Sequence, residues 1–458
     1  MRSAACIRHG CLSMRKGMQL QRLTQVTVWS VAFSATNGDS MAALSPPGYV
    51  KHILGKLTDG GHTAYCVGGC VRDAIMGRPV HDWDVATSAP PFDTARMFAK
   101  TAMTGERFGT VTVIQPEGPV EVTTYRADGR YNDARRPENV EFLSDIEGDL
   151  RRRDFTINAM AASITGEIID ICGGCKDIED RIIRCVGDPA VRFGEDALRM
   201  FRAFRFRAEL DFEIEQTTLD AIAENSGKAG SISAERVRVE LEKTLMSQKP
   251  GTVGEMIGAG LLDKYLANGY LRSSIPSAAF AGLAYLPPEA PLRWCVFCSI
   301  LQGAGLVCSA ADFLRSLKHD GKTIKACTSG PGAGEFPDSV TGVKHMLAKH
   351  GALATRCAAA ARDAMQAGGQ GGGGAVAACH TNDGRLPNLK LVDVVIMSGE
   401  CFSLKGLCIN GSDLIAHGHR PGAGIGRTLE ALLSHVIDHP GDNDYNTLLN
   451  LADRIVLS

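Results

Sequence analysis

Between Tyr65 and Thr87 the chain reads Tyr-Cys-Val-Gly-Gly-Cys-Val-Arg-Asp-Ala-Ile-Met-Gly-Arg-Pro-Val-His-Asp-Trp-Asp-Val-Ala-Thr, and no other stretch limits the fold as much. Ala64 to Val67 reads as a strand entering Gly68-Gly69, Asp73 to Met76 as the opening of a helix, and a second strand carries Asp82 and Asp84. Side chains alternate faces along a strand, so the two aspartates share a face and Trp83 points into the opposite layer. Two carboxylates on one face suit Mg²⁺, which binds through one or two carboxylates plus substrate phosphates. Gly68 and Gly69 let backbone N–H groups approach phosphate oxygens, and Arg72 adds a charge-assisted fork. Alone, Gly-Gly is an ordinary turn and Asp-x-Asp a solvated strand. The combination at this spacing points to a metal-bound triphosphate.

The chain has 458 residues, which implies two to four domains. Its 44% hydrophobic and 22% charged residues are those of a globular protein. A net charge of −2 excludes a uniformly basic surface, so any nucleic-acid site must gather its lysines and arginines locally. Fifteen irregularly placed cysteines fit a reducing compartment better than a disulfide framework. No apolar run approaches the length that spans a bilayer. Arg2, Arg8, Arg15, Lys16 and Arg22 all precede the first acidic residue, Asp39, which is the pattern of an organelle transit peptide. Mitochondrial or plastid targeting is therefore expected, with a cytoplasmic or nuclear pool as the alternative. A disordered extension is the plainer reading of residues 1–45.

Farther along, Pro47 to Asp59 reads as a short helix, and Pro90 to Ala99 as another. Gly109 to Ile114 alternates as a strand, with Val120 to Thr123 as its hairpin partner. Glu121 in that partner is either a solvent-facing strand residue or a third acid beside Asp82 and Asp84. Tyr125 to Leu150 mixes Arg126, Arg130, Arg135 and Arg136 with acids and reads as a loop. In Arg151-Arg152-Arg153-Asp154-Phe155-Thr156-Ile157-Asn158, the arginines form either a solvated rim or, through Arg153 braced by Asn158, a contact to the nucleotide.

The segment Asp188 to Leu210 repeats Arg199, Arg202 and Arg205 against Leu198, Phe201 and Phe204, one basic and one aromatic stripe of an amphipathic helix. Helical spacing puts Asp196 and Arg199 on one face. The carboxylate only accepts and the guanidinium only donates. Cytosine and adenine present an amino donor beside a ring-nitrogen acceptor and match that pair. Uracil and guanine present the reverse, and leaving buried groups unpaired costs about 1–3 kcal/mol each. The bland alternative is an i,i+3 salt bridge. Ser233 to Leu245 reads as a capped structural helix, with Arg236 and Arg238 as candidates for RNA contact.

These strings resemble the signature of class II nucleotidyltransferases, the family of tRNA nucleotidyltransferases (CCA-adding enzymes) and bacterial poly(A) polymerases. The resemblance runs from Tyr65 to about Leu245, weakens beyond, and returns near Leu407. It implies an α+β protein: an N-terminal polymerase-beta-like head with a mixed sheet (46–175), a helical neck with the nucleotide-selecting helix (176–248), and a helical, tRNA-binding body and tail (249–458). The implied reaction adds C, C and A to the 3′ end of tRNA from CTP and ATP, without a template. Asp82 and Asp84 would bind Mg²⁺, with Glu121 as a third catalytic acid. Gly68, Gly69, Arg72, Arg153, Asn158, Asp196, Arg199, Arg202 and Arg205 would bind the nucleotide. Residues 125–150 look like the flexible loop of the CCA-adding members. A poly(A) polymerase, a CC- or A-adding enzyme, and a non-catalytic RNA-binding protein on the same fold are the alternatives. Ile409 to Arg427 looks like the family's tail, where Gly422, Gly424 and Gly426 either bind an RNA phosphate or simply enter a helix. The glycine-rich stretches Gly330–Gly334 and 367–374 read as flexible inserts. His319-Asp320 and Cys172-Gly-Gly-Cys175 lack the partners a metal site needs.

Overall fold

The structure is a computed structural model and describes residues 28–29, 44–105, 109–128, 140–267, 277–329, 336–368 and 386–456. Most of the predicted N-terminal extension, residues 129–139 of the predicted loop, and the glycine-rich stretches 330–334 and 369–374 lie outside the described residues.

The head forms around one mixed sheet. Its strands are β1 (Val28–Trp29), β2 (Ala64–Val67), β3 (Asp84–Thr87), β4 (Thr101–Gly105), β5 (Thr110–Gln115) and β6 (Gly118–Thr124). After a separate ribbon of β7 (Arg126–Asp128) and β8 (Val140–Phe142) come β9 (Met160–Ala162) and β10 (Ile168–Asp170). The order is β1-β10-β9-β2-β3-β6-β5-β4. Every neighbouring pair is antiparallel except β3 and β6, which run parallel with Asp84 opposite Glu121. Parallel neighbours need a crossover, supplied here by α3 (Pro91–Met97) and the β4–β5 hairpin. The edge strand β1 comes from within the segment read as an extension, pairing Val28 with Ile169 and Trp29 with Ile168.

Strand alternation builds a core on each face of this sheet. Val67, Ala86 and Ala161 pack with Tyr125, Ile146 and Leu150 on one side. Cys66, Val85 and Ala162 face the larger core on the other. There α1 (Gly48–Asp59) buries Val50, Ile53, Leu54 and Leu57, the i, i+3, i+4, i+7 stripe of an amphipathic helix. The remaining head helices are α2 (Gly69–Ile75), α4 (Ile146–Arg151) and α5 (Gly174–Glu179).

A short parallel ribbon, β11 (Ile182–Ile183) with β12 (Glu213–Ile214), accompanies the neck helices α6 (Pro189–Glu195), α7 (Leu198–Leu210), α8 (Gln216–Asn225) and α9 (Ala234–Met246). The body helices are α10 (Val253–Gly258), α11 (Ala290–Gly303), α12 (Ala310–Ser316), α13 (Gly321–Thr328), α14 (Val340–Gly368) and α15 (Pro387–Met397). Gly351 leaves helical geometry and kinks α14. The chain ends in α16 (Gly411–Ala416), α17 (Ala423–Asp438) and α18 (Tyr445–Val456). One apolar cluster is continuous from Val50 to Val395, while Leu407 to Ala452 form their own. Among the described residues, no helix is long and apolar enough to cross a membrane.

The structure corrects some local expectations and gives others a structural role. The helix expected to open at Asp73 begins at Gly69, because Gly68 takes φ 81° and turns the chain at once. Asp188 to Leu210 is two helices rather than one, broken at Asp196, whose backbone is extended (φ −145°, ψ 105°). Ser233 occupies the cap position of α9 but makes no side-chain cap bond. His319 packs edge-on against Trp294, with ring centroids 4.3 Å apart, and Asp320 caps α13 through the Thr323 amide at 2.9 Å. Around Cys172-Gly-Gly-Cys175, four successive backbone amides donate to the Asp170 carboxylate at 2.8–3.2 Å. Gly422 caps α17, and Gly424 and Gly426 lie inside that helix.

Candidate active site

The acidic edge is set by sheet register. Asp84 opens β3 directly beside Glu121 of β6, and both side chains are exposed. Asp82 precedes the strand, yet the alternation already holds there: Asp82 is exposed, Trp83 buried, Asp84 exposed. Although Asp84 opens to solvent at the strand edge, the protein packed around its carboxyl strips away part of its hydration and, with the Glu121 and Asp82 carboxylates, pushes it up to about 6 against the opposing pull of Arg153. The three acids therefore crowd one strand edge with less positive charge than they need.

That imbalance suits a divalent cation. Among the described residues, no group of three or more histidine, cysteine or acidic side chains makes a complete metal cage. A site of two carboxylates finished by substrate phosphates and water fits this donor set, since Mg²⁺ is seldom held by protein oxygens alone.

Gly68 faces this edge, and its geometry admits only glycine. Its φ is 81°, and a Cβ there would stand 2.8 Å from Arg153 Nη1. The close approach to Gly68 is thus made by a guanidinium of the protein. Gly69 is less constrained, since its Cβ would meet Arg72 Nη2 at an ordinary 3.6 Å.

The three consecutive arginines have separate fates. Arg151 is largely exposed beside Glu147. Arg152 and Arg153 share Asp149, which is almost wholly buried, with Arg152 Nη2 at 2.6 Å from Oδ1 and Arg153 Nη2 at 3.0 Å from Oδ2. Of the three, Arg153 reaches toward Asp84 and Gly68, and its Nε is buried without a hydrogen-bond partner among the described residues.

Arg72 is more committed than its sequence position suggests. Its Nε and Nη2 fork Asp73 at 3.0 Å each, and Nη1 donates to Asn158 Oδ1 at 2.7 Å. Asn158 Nδ2 in turn donates to Asp154 Oδ1 at 3.3 Å, and Asp154 Oδ2 takes Arg202 Nε at 2.7 Å. Arg72, Asn158, Asp154 and Arg202 thus form one chain of bonds from α2 to α7. Burial opposes the charged form of Asp154, but the Arg202 and Arg199 guanidiniums overcome it and hold the group well below the usual carboxylate range.

On α7 the basic stripe is held in ion pairs, with Arg199 and Arg205 buried and Arg202 half-buried, rather than forming a solvated face. Arg199 donates to Glu195 (2.5 Å) and to the carbonyls of Arg192 (3.1 Å) and Arg152 (3.2 Å). Arg205 is held by Glu240 (2.6 Å) and Glu209 (2.8 Å). Asp196 pairs with Arg236 of α9, Nη1 to Oδ1 at 3.2 Å and Nη2 to Oδ2 at 2.7 Å. The i,i+3 bridge between Asp196 and Arg199 does not form. Both remain at the head–neck junction, each oriented by other groups.

Four residues of this network carry weight that the sequence reading did not give them. Phe206 lies under three guanidiniums, with Arg205, Arg72 and Arg202 at 4.0, 5.2 and 5.3 Å from its ring. Asp149, Asp154 and Glu240 are buried acids, each paired with an arginine of the predicted set. Buried acids are rare unless paired, so each of these marks a built ion pair.

An acidic strand edge facing a glycine turn and the Arg153 guanidinium, on a mixed sheet backed by helices, defines a nucleotidyltransferase. Comparison with known proteins narrows the class. Residues 64–184 match the family described as the poly A polymerase head domain, and 211–267 the family described as the probable RNA and SrmB- binding site of polymerase A. The chain is 34% identical over 418 residues to the CCA-adding enzyme of Limosilactobacillus fermentum, covering 89% of this chain and 96% of that protein. It is 41% identical over 276 residues to the CCA-adding enzyme of Bacillus velezensis, 60% of this chain and 68% of that one. The crystal structure of the Bacillus stearothermophilus CCA-adding enzyme in complex with CTP superposes with a TM-score of 0.68 at 29% identity, covering 89% of this chain and 97% of that one. The chain belongs to the CCA-adding enzyme family of tRNA nucleotidyltransferases.

Proposed function

We propose that this protein adds C, C and A to the 3′ end of tRNA, using CTP and ATP and releasing pyrophosphate. The observation that carries the proposal is the register pair Asp84–Glu121, set against Arg153 over Gly68, in a chain that aligns with 96% of a CCA-adding enzyme. The 3′ hydroxyl of the primer attacks the α-phosphorus of the nucleotide, a new phosphodiester forms, and the bond to the β-phosphate breaks.

Arg153 is the cation closest to the glycine turn and neutralises the triphosphate. Arg72 and Asn158 hold the turn and the Arg153 segment together. Asp196 and Arg199 meet the base edge, accepting from an exocyclic amino group and donating to the ring acceptor beside it. Arg202 and Arg205 fix the helix that presents them. Mg²⁺ is the proposed cation, held by Asp82 and Asp84 with Glu121 alongside, where it would supply Lewis-acid stabilisation of the charge at phosphorus. The matched RNA-binding region at 211–267 supports tRNA as the primer, and the CTP complex of the Bacillus stearothermophilus relative supports CTP as a substrate. The basic, acid-free N-terminal sequence supports delivery to a mitochondrion or plastid, with a cytoplasmic or nuclear pool as the alternative.

The test is incubation of the purified protein with tRNA lacking its last three nucleotides and with labelled CTP, ATP or both. Two C additions with CTP, and one further A only when both are present, are expected. A long A tail identifies a poly(A) polymerase, and tRNA binding without incorporation identifies a non-catalytic RNA-binding protein.

A further inference from the structure

Asp196 is expected to read the base, yet no helix fixes its orientation. It lies in the break between α6 and α7 with an extended backbone. Its direction must come from what its carboxylate touches. Oδ1 accepts from the Leu198 amide at 3.1 Å and from Arg236 Nη1 at 3.2 Å, while Oδ2 accepts from Arg236 Nη2 at 2.7 Å. A carboxylate offers about four lone-pair directions. Three are taken, and the one left is on Oδ2, with its direction set by the fork on the other side.

The other reading group is held separately, since Arg199 is bound by Glu195 and two carbonyls. Arg236 is itself part of a rigid support. Glu240, one turn later on α9, clamps Arg205 of α7. The end of α9 is tied down by the buried Arg293, which donates to the carbonyls of Leu245 and Ser247. The helix α9 therefore holds α7 at Arg205 and, independently, holds Asp196 by its carboxylate.

We infer that Arg236 is the positioning residue for Asp196: it occupies one side of the carboxylate so that a single acceptor, in a fixed direction, faces the nucleobase. This rests on the reading of Asp196 as a base reader. A fixed lone acceptor takes the amino group of cytosine or adenine and repels the keto oxygen of uracil or guanine. A carboxylate released from Arg236 rotates and loses that discrimination, while α7 stays clamped through Glu240.

The test measures kcat/KM for CTP and UTP on tRNA lacking its last three nucleotides, and for ATP and GTP on tRNA ending in CC. The variants are Arg236→Gln, Arg236→Lys, Asp196→Ala and Val237→Ala, each also scored by thermal unfolding. Arg236→Gln is expected to lower the CTP-over-UTP and ATP-over-GTP ratios by about tenfold, mainly through KM for the correct nucleotide. Arg236→Lys, which keeps the charge but not the fork, is expected to lose about threefold. Val237→Ala removes buried volume from the same helix, and is expected to lower the melting temperature and leave the ratios unchanged. Unchanged ratios in Arg236→Gln, beside reduced ratios in Asp196→Ala, would overturn the inference and leave the base-reading role standing. Unchanged ratios in Asp196→Ala would remove the base-reading role itself. If Arg236→Gln does not fold, Arg236→Lys decides, and wild-type ratios there overturn the inference.

Discussion

Arg72 Nη1 donates to the side-chain oxygen of Asn158 at 2.7 Å, across 86 residues of sequence, and both residues are buried. Asn158 is the only neutral side chain in the series from Arg72 to Arg202. It accepts from a cation and donates to the Asp154 carboxylate. Asn158→Ala leaves a guanidinium and a carboxylate each short of a partner, and is expected to destabilise the protein by about 2–3 kcal/mol. Asn158→Asp keeps an acceptor for Arg72 but sets a second carboxylate against Asp154, and is expected to be at least as damaging. Denaturant unfolding of the two variants checks both; a wild-type midpoint for Asn158→Ala contradicts the account.

The glycine pair separates in the same way. A side chain at Gly68 must adopt left-handed φ and sits 2.8 Å from Arg153 Nη1, whereas one at Gly69 meets nothing closer than 3.6 Å. Gly68→Ala is expected to cost about 1–2 kcal/mol in backbone strain and to displace Arg153, raising KM for both nucleotides. Gly69→Ala is expected to leave stability within about 0.5 kcal/mol of wild type. Melting temperatures and nucleotide KM values measured side by side test the contrast.

Much of the head was legible because strand and turn signals are local. Ala64–Val67 forms as read, and the hairpin that carries Glu121 forms within two residues of its expected ends. Register sets Glu121 directly beside Asp84, a placement that depends on a parallel crossover that periodicity does not encode. Asp196 shows the same limit. Three-residue spacing predicts a shared face with Arg199, but the helix breaks there and a residue 40 positions later supplies the partner. The arginine periodicity of α7 was visible, but its burial was not, because the acids that neutralise it include Asp154 and Glu240 on other elements.

The acidic edge predicts a graded series. Asp82→Ala and Asp84→Ala each remove a proposed ligand and are expected to reduce nucleotide incorporation by roughly three orders of magnitude, with tRNA binding retained. Glu121→Gln removes only the neighbouring charge. It is expected to keep measurable turnover and to raise the Mg²⁺ concentration needed for half-maximal rate. Incorporation assays over a Mg²⁺ titration, with filter binding of tRNA, distinguish the three; normal turnover in either aspartate variant contradicts the assignment.

Asp154 sets the behaviour in acid. Its native pKa lies well below the usual carboxylate range, against about 3.9 in an unfolded chain. Above that value both states are ionised, and the ion pair with Arg202 contributes fully. Below it the unfolded chain takes up a proton that the native protein refuses, so the unfolded state is favoured and stability falls as pH falls. Asp149, also lowered because Arg152 and Arg153 outweigh its burial, adds a second contribution of the same sign. Asp154→Asn removes the first contribution alone. The variant is expected to be less stable at pH 7, because Arg202 loses its carboxylate, and to show a shallower decline between pH 4 and pH 2, with the remaining slope due in part to Asp149. Denaturant midpoints at pH 7, 5, 4, 3 and 2 test this; a decline as steep as that of wild type would mean that Asp154 does not contribute to the acid sensitivity of the fold.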